Sequence, residues 1–341
     1  MIVRARAPLR LGLAGGGTDL SPYCDQHTGC VLNATLDRFV YAMIETASTP
    51  VVSFEALDQQ QSIEIAATNK IHLDGFLNLH KAVYNCMVNE FNEGKPLHIR
   101  LSTVCETPAG SGLGSSSSVV VVMIKAFSEY LNIPLDDYAI ANLAYKVERI
   151  DCNLEGGKQD QYAAAFGGFN FMEFFDNNKV IVNPLRIKNW IKNELESSLI
   201  LYFTGASRES AHIINEQKCN ISSGNIQVKE SMDALKIEAV RMKEHLLKGD
   251  FEGVVQALSE GWQRKKETAR SISNPMIDEI LDESLKSGAS AGKVSGAGGG
   301  GFIMIYAPLN NRMRVLNTLS RFPGHISACH FTDHGAQAWR T

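Results

Sequence analysis

Hydrophobic and polar positions alternate from the start of the chain. Ile2 to Gly12 has the period-two look of a strand and runs into Gly15-Gly16-Gly17-Thr18-Asp19. A second strand fits Arg38 to Thr46, with Phe39, Tyr41, Met43 and Glu45 on one side, and Leu97 to Ser102 alternates cleanly. The run Pro108 to Ser118 is rich in glycine and serine, and an apolar stretch follows it to Tyr130, with Pro134 just beyond. Valine favours strands, but a serine run leading into so long an apolar stretch predicts a serine-capped, buried helix. The pattern next predicts a helix over Leu135 to Ile150, a polar boundary region from Asn183-Pro184 through Ser198, and a strand over Leu199 to Phe203. A loop at Ser222 to Asn225 precedes helices over Val228 to Lys248, Phe251 to Ala269 and Pro275 to Ser287. The glycine-rich Lys293 to Gly301, a strand over Phe302 to Tyr306 and a closing helix and strand end the chain. This is a mixed α+β pattern in two domains, expected at 1–185 and 186–341.

Composition narrows the class. A chain of 341 residues has room for about two domains, each with its own core. Lys+Arg 33 against Asp+Glu 37 gives a net charge of −4, and no basic cluster stands out, so a nucleic-acid binder is not expected. The densest apolar run, Val119 to Ile124, stops at Lys125, well short of the ~20 residues of a spanning helix. Arg4, Arg6 and Arg10 leave no apolar region for a secretory leader. Seven cysteines are scattered and never form a CxxC pair, which points to a reduced, cytoplasmic setting with neither a disulfide framework nor a zinc site.

Three glycine-rich loops carry the candidate chemistry. In Pro108 to Ser118, glycines let the backbone curl around a phosphate while the start of the following helix adds partial positive charge. No lysine follows the last glycine, so the Walker pattern is absent. Gly15 to Asp19 fails as a dinucleotide fingerprint, because Leu20 stands where the last glycine would be. Asp19 there suits hydrogen bonds to the hydroxyls of a polar ligand. The third loop, Lys293 to Gly301, holds five glycines in nine residues, as a backbone would if it approached a ligand or another loop closely. Each loop taken alone also fits a plain turn, with Asp19 as a helix cap.

Two carboxylates complete the set. Asp160 lies in the Gly156-Gly157-Lys158-Gln159-Asp160-Gln161 loop, and Glu148 lies twelve residues earlier, near the end of a helix. One could hold Mg²⁺ on nucleotide phosphates while the other faces an attacking hydroxyl. The nine histidines show no HExxH spacing, and a GxSxG elbow is missing.

Taken together, the loops resemble, in order, the three signature motifs of the GHMP kinases, the superfamily of galactokinase, homoserine kinase and the mevalonate kinases. The resemblance implies an N-terminal domain like domain 2 of ribosomal protein S5 and a ferredoxin-like C-terminal domain, with ATP and Mg²⁺ as cofactors. It implies that Pro108, Gly110, Ser111, Gly112, Leu113, Gly114, Ser115, Ser116 and Ser117 wrap the ATP phosphates, and that Ser116 and Glu148 hold the metal. Asp160 matches the catalytic aspartate of the GxxDQ segment, and Arg10 matches the basic residue of the first motif. Gly16, Gly17, Thr18, Asp19, Gly205, Arg208 and Gly298 would meet the substrate.

Galactokinases carry Glu-His before Thr-Asp, where this chain has Gly16 and Gly17, which argues against galactose. The stretch around GGGTDL, with Thr204 to Arg208, is most similar to the D-glycero-D-manno-heptose 7-phosphate kinases, which phosphorylate the anomeric hydroxyl. Arg208 would supply charge for a phosphate already on the acceptor, with Lys158, Arg38 and Lys293 as further candidates. The partner implied is a small-molecule sugar phosphate, with a homodimer as the assembly and neither nucleic acid nor membrane. A fucokinase-like or other sugar 1-kinase, a catalytically silent sugar- and ATP-binding sensor and a nicotinamide-dependent dehydrogenase stay open as rival readings.

Overall fold

The computed structural model describes residues 1–205 and 210–341. The opening strand β1 (Ile2–Ala14) pairs antiparallel with the long β2 (Gly29–Thr46), and the short α1 (Tyr23–His27) lies between them in the chain. The hairpin β3 (Val51–Ala56) and β4 (Gln61–Ala66), the helix α2 (Asn78–Phe91) and β5 (Ile99–Cys105) come next. After α3 (Ser115–Leu131), α4 (Asp137–Tyr145) and α5 (Gln159–Phe166), β6 (Phe169–Phe174) and β7 (Val180–Pro184) finish the first layer. The sheet runs β12-β1-β2-β5-β3-β4, with β6 on the first half of β2 and β7 beyond it. Every pairing is antiparallel except β3 with β5.

The second half contains α6 (Asn189–Ser198), β8 (Leu199–Phe203), α7 (Ser210–Ser222), α8 (Ile226–Lys248) and α9 (Phe251–Thr268). It continues through α10 (Pro275–Lys286), β9 (Ala291–Val294), β10 (Phe302–Tyr306), α11 (Leu309–Leu319), β11 (His325–Ala328) and β12 (Gln337–Arg340). A four-stranded antiparallel sheet, β11-β8-β10-β9, forms here. The last strand, β12, returns to pair with β1.

Two sheets and their helices meet the α+β expectation. Both faces of the second sheet are buried: Leu199 and Leu201 of β8 face the large core of the first sheet, and Ile200 and Tyr202 face a second core with α10 and α11. Helices α8 and α9 pack on β1, and α8 also covers β2, which brings the second half over the open end of the first strand.

Burial explains the valine run. Val120, Val121, Val122, Met123 and Ile124 are all fully buried, because α3 is wrapped by β1, β2, α2, α4 and α5. A helix buried all round can be apolar all round, and tertiary packing overrides the strand propensity of valine.

Four expectations need correction. The 183–198 region is not only a boundary, since residues 189–198 form α6, whose Ile191 and Leu195 are buried. The helix expected over 135–150 begins at Asp137, capped by Asp136, and widens at residues 146–151 into a π turn in which Cys152 N donates to Val147 O at 2.9 Å. Lys293 belongs to β9 rather than to a loop. Asp160 lies in the first turn of α5, not in a loop. No helix among the described residues is long and apolar enough to cross a membrane.

Candidate active site

A cleft of about 550 Å³ opens between the first sheet, α3 and the second half of the molecule. Ala109, Gly110, Gly112, Gly114, Ser115 and Ser116 line it on one side. The serines do not cap α3 as expected: the N-cap is Gly114, with φ +76°, and no side chain caps the helix there. The left-handed glycine leaves the first-turn N–H groups of Ser115 to Ser117 without helical carbonyl partners. Those groups and the helix dipole form an anion-binding end.

Arg10 and Asp160 meet on the floor of this cleft. Arg10 Nε donates to Asp160 Oδ1 at 2.7 Å and Nη2 donates to Oδ2 at 3.0 Å, a two-pronged pair. The backbone arranges it. The β1–β2 register shifts between Pro8 and Arg10, and there Arg10 N donates instead to Leu113 O at 3.0 Å. Such an irregularity re-aims a strand side chain. Arg10 Nη1 also donates to Gly112 O at 2.6 Å, so one guanidinium ties β1, the 108–114 loop and α5 together.

Glu148 sits in the π turn and is completely buried. It accepts from Ser116 Oγ and Ser117 Oγ at 2.6 Å each and from Gln161 Nε2 at 2.6 Å, and Arg149 Nη1 lies 3.2 Å from it. Among the described residues no cluster of three or more His, Cys, Asp or Glu side chains could hold a metal by itself. Glu148 and the Ser116 hydroxyl are hard oxygen donors of the kind Mg²⁺ takes, with phosphate oxygens and water supplying the rest. Glu148 would give up the Ser116 and Arg149 contacts on Oε1 for the metal, and a hydroxyl that rotates and a side chain that moves can yield where the backbone N–H groups on Asp19 cannot.

Asp19 also lines the cleft, but its acceptor sites are filled. Oδ1 accepts from Gly17 N at 3.2 Å and Gln159 Nε2 at 3.0 Å, and Oδ2 accepts from Lys158 N at 2.9 Å and Gln159 N at 3.1 Å. A carboxylate has about four such sites, so Asp19 is no open acceptor for sugar hydroxyls. It binds the start of α5 and sets the position of Asp160 one residue further on. Thr18 is likewise structural: its hydroxyl lies 2.8 Å from both Gly15 O and Cys30 O, with one proton to give to either, and accepts from Cys30 N at 3.0 Å. Gly17 lines the cleft, and Gly16 presents its carbonyl to Lys265.

The third glycine loop approaches another loop rather than open space. A Cβ on Gly112 would come within 2.6 Å of Ser295 O, and one on Gly301 within 2.4 Å of Ser111 O. Phe302 N donates to Ser111 O at 2.9 Å and Ser295 Oγ to Gly112 O at 3.0 Å, so the two loops are clasped backbone to backbone. Ser111 and Leu113 serve this scaffold by their carbonyls, and Pro108 accepts from Ser111 N across the turn. Gly298 packs against Ile272, with Gly299 N donating to Ile272 O at 2.8 Å, and does not line the cleft. Gly205, beside Pro323, does not line it either. Arg208 lies outside the described residues.

Sequence reasoning missed Lys265, Gln159, Gln217 and Arg149, all of which line the cleft. Lys265 of α9 is buried, and desolvation pulls its ammonium down to about 8 although Asp19 and Asp160 oppose the shift. The signal was its place on the apolar face: Val254, Ala257, Leu258, Trp262, Lys265 and Thr268 recur at helical spacing and are all buried. None of the further phosphate-ligand candidates, Lys158, Arg38 and Lys293, lines the cleft. Lys293 donates to Leu13 O at 3.1 Å, with burial lowering it to about 7, and Lys158 is buried 3.8 Å from Asp25.

With this geometry in view, the comparisons with known proteins agree. The model of the GHMP kinases N terminal domain matches residues 78–168, and that of the GHMP kinases C terminal matches residues 242–323. The chain is 43% identical over 338 residues to the D-glycero-alpha-D-manno-heptose 7-phosphate kinase of Campylobacter jejuni, covering 99% of each. It is 41% identical to a solved D-glycero-D-manno-heptose 1-phosphate kinase of Bacteroides thetaiotaomicron, with a TM-score of 0.84 over 99% of both chains. A more distant relative, the L-fucokinase/L-fucose-1-P guanylyltransferase of Bacteroides fragilis, is 25% identical across 90% of this chain and 34% of that protein. The chain therefore belongs to the GHMP kinase family, whose members are ATP-dependent sugar or metabolite kinases.

Proposed function

We propose that the protein transfers the γ-phosphoryl group of ATP to the anomeric hydroxyl of D-glycero-D-manno-heptose 7-phosphate, giving the 1,7-bisphosphate. The observation that carries this reading is the Arg10–Asp160 pair on the floor of the cleft, beside the open helix end at Gly114. An acceptor hydroxyl and a nucleotide phosphate can meet there. The choice of sugar rests on the full-length likeness to a heptose 7-phosphate kinase at 43% identity, against 25% for the fucokinase relative.

The triphosphate would lie along Gly110 to Ser116, with its charge met by the first-turn amides of α3. Ser116 and Glu148 would hold Mg²⁺, which would neutralise phosphate charge when bound. The nucleoside end would rest on the apolar flank formed by Leu77, Leu79 and Val119. His80 also lines that flank, and desolvation holds it neutral at about 4.

In the reaction the anomeric oxygen forms a bond to the γ-phosphorus while the bond to the ADP oxygen breaks. Asp160 orients the hydroxyl and takes its proton, and Arg10 steadies both Asp160 and the anionic oxygen. Such transfers pass through a loose transition state, so catalysis is mainly alignment and charge stabilisation. The clasped loops supply the alignment. Phosphorus NMR of the product tests the reading: a new anomeric phosphate beside an unchanged 7-phosphate is expected, and a phosphate on any other carbon would overturn it.

A further inference from the structure

Lys265 stands out among the cleft residues because nothing in the proposed chemistry uses it, yet it is a buried lysine on the cleft wall. Burying a charge is costly unless it finds partners. Two of its donors are placed: Nζ donates to Gly296 O at 2.8 Å and to Gly16 O at 3.2 Å. An ammonium has three. Neither nearby acid needs the third for a hydrogen bond, because Asp160 is paired with Arg10 and Asp19 already accepts four N–H groups. It shares the cleft wall with Gly17, Gln159, Gln217 and Gly296, and a Cβ built on Gly16 would touch both its Nζ, at 3.4 Å, and Gln159 Nε2, at 3.8 Å, so the ammonium stands beside the residue that precedes Asp160.

We infer that Lys265 is an acceptor-binding residue, donating its third proton to an oxygen of the acceptor sugar while its other two hold the first and third glycine loops together. The inference rests on the proposed kinase reading and adds a contact to it. One side chain thus couples the closeness of the two loops to the presence of the acceptor.

The test is steady-state kinetics of Lys265→Met and Lys265→Gln with ATP and heptose 7-phosphate varied separately, alongside the wild type. Loss of a charge-assisted hydrogen bond predicts an acceptor KM raised about 10- to 100-fold in Lys265→Met and less in Lys265→Gln, with the KM for ATP changed less than about twofold. Nucleotide affinity by calorimetry shows whether each variant is folded, and Lys265→Gln, which keeps a donor, serves if the methionine variant is not. An unchanged acceptor KM, or a rise in the KM for ATP instead, overturns the inference. A wild type inactive on the heptose phosphate would instead count against the kinase reading itself, so the two failures are distinct.

Discussion

Arg10 and Asp160 lie 150 positions apart in the sequence yet share a two-pronged ion pair, with Nε–Oδ1 at 2.7 Å and Nη2–Oδ2 at 3.0 Å. The irregular register of β1 frees Arg10 to reach inward, and Asp19 fixes the start of α5 so that Asp160 meets it. If Asp160 receives the proton of the acceptor, Asp160→Asn should cost about 10²–10⁴ in kcat with little change in ATP affinity. Arg10→Lys keeps the charge but loses the fork, and should lower kcat at least about tenfold. Rapid-quench turnover of both variants decides the matter, and near-normal rates would sink these roles.

Metal dependence should follow Ser116 and Glu148. Chelation with EDTA is expected to abolish turnover, and added Mg²⁺ to restore it. Ser116→Ala should raise the Mg²⁺ concentration needed for half-maximal rate, and Glu148→Gln should raise it further, since it removes the only carboxylate of the pair. Titration of activity against free Mg²⁺ reads both effects, and identical curves for wild type and Glu148→Gln would count against this site.

The adjacent glycines 156 and 157 should respond unequally to alanine. A Cβ on Gly157 would lie 1.9 Å from Asp19 Oδ2, in a short side chain held by four hydrogen bonds. A Cβ on Gly156 would lie 2.2 Å from the Arg149 guanidinium, the far end of a long side chain that can shift by giving up contacts of 3.2–3.3 Å with Glu148, Glu155 O and Gly157 O. Gly157→Ala is therefore expected to destabilise by about 1–3 kcal/mol more than Gly156→Ala. Thermal denaturation of the two variants side by side checks the order, and a reversed order would show that Asp19 is not rigid.

The lowered ammonium of Lys265 has two consequences of opposite sign. Between about 8 and the usual lysine range, the unfolded chain binds a proton that the folded chain has lost, so this group makes stability rise with pH. Acceptor binding should move the other way, with kcat/KM for the acceptor falling above about pH 8 as the donor is lost. Arg10, Lys293, Asp19 and Asp160 face the same ammonium, and Lys293, lowered to about 7, has lost most of its charge before this limb begins. A pH series on wild type and Lys265→Met should show the alkaline limb only in the former.

Much of the site was legible in the sequence because it is built from backbone. Glycines at 110, 112, 114, 296 and 301 all adopt positive φ, and their clustering announced close loops. The strands β1, β5, β8 and β10 and the helices α3, α8, α9 and α10 were equally plain, since each buries a regular face. The hairpin β3–β4 was not, because β4 is an edge strand of only six residues whose half-buried face, Gln61, Ile63 and Ile65, is itself part polar. The helical place of Asp160 is not legible in the sequence, because the cap of α5 comes from Asp19, 139 positions before Lys158, and no local pattern shows it. Lys265 was hidden for a related reason: a buried lysine looks like a surface one until its helix face is followed.

The most direct measurement is ATP consumption by purified protein with Mg²⁺ against D-glycero-D-manno-heptose 7-phosphate, fucose, galactose and mannose. Strong turnover with the heptose phosphate alone is the predicted result. Turnover with an unphosphorylated sugar instead would keep the Arg10–Asp160 chemistry but contradict the acceptor named here, and ATP binding without turnover on any of them would contradict the kinase reading at its centre.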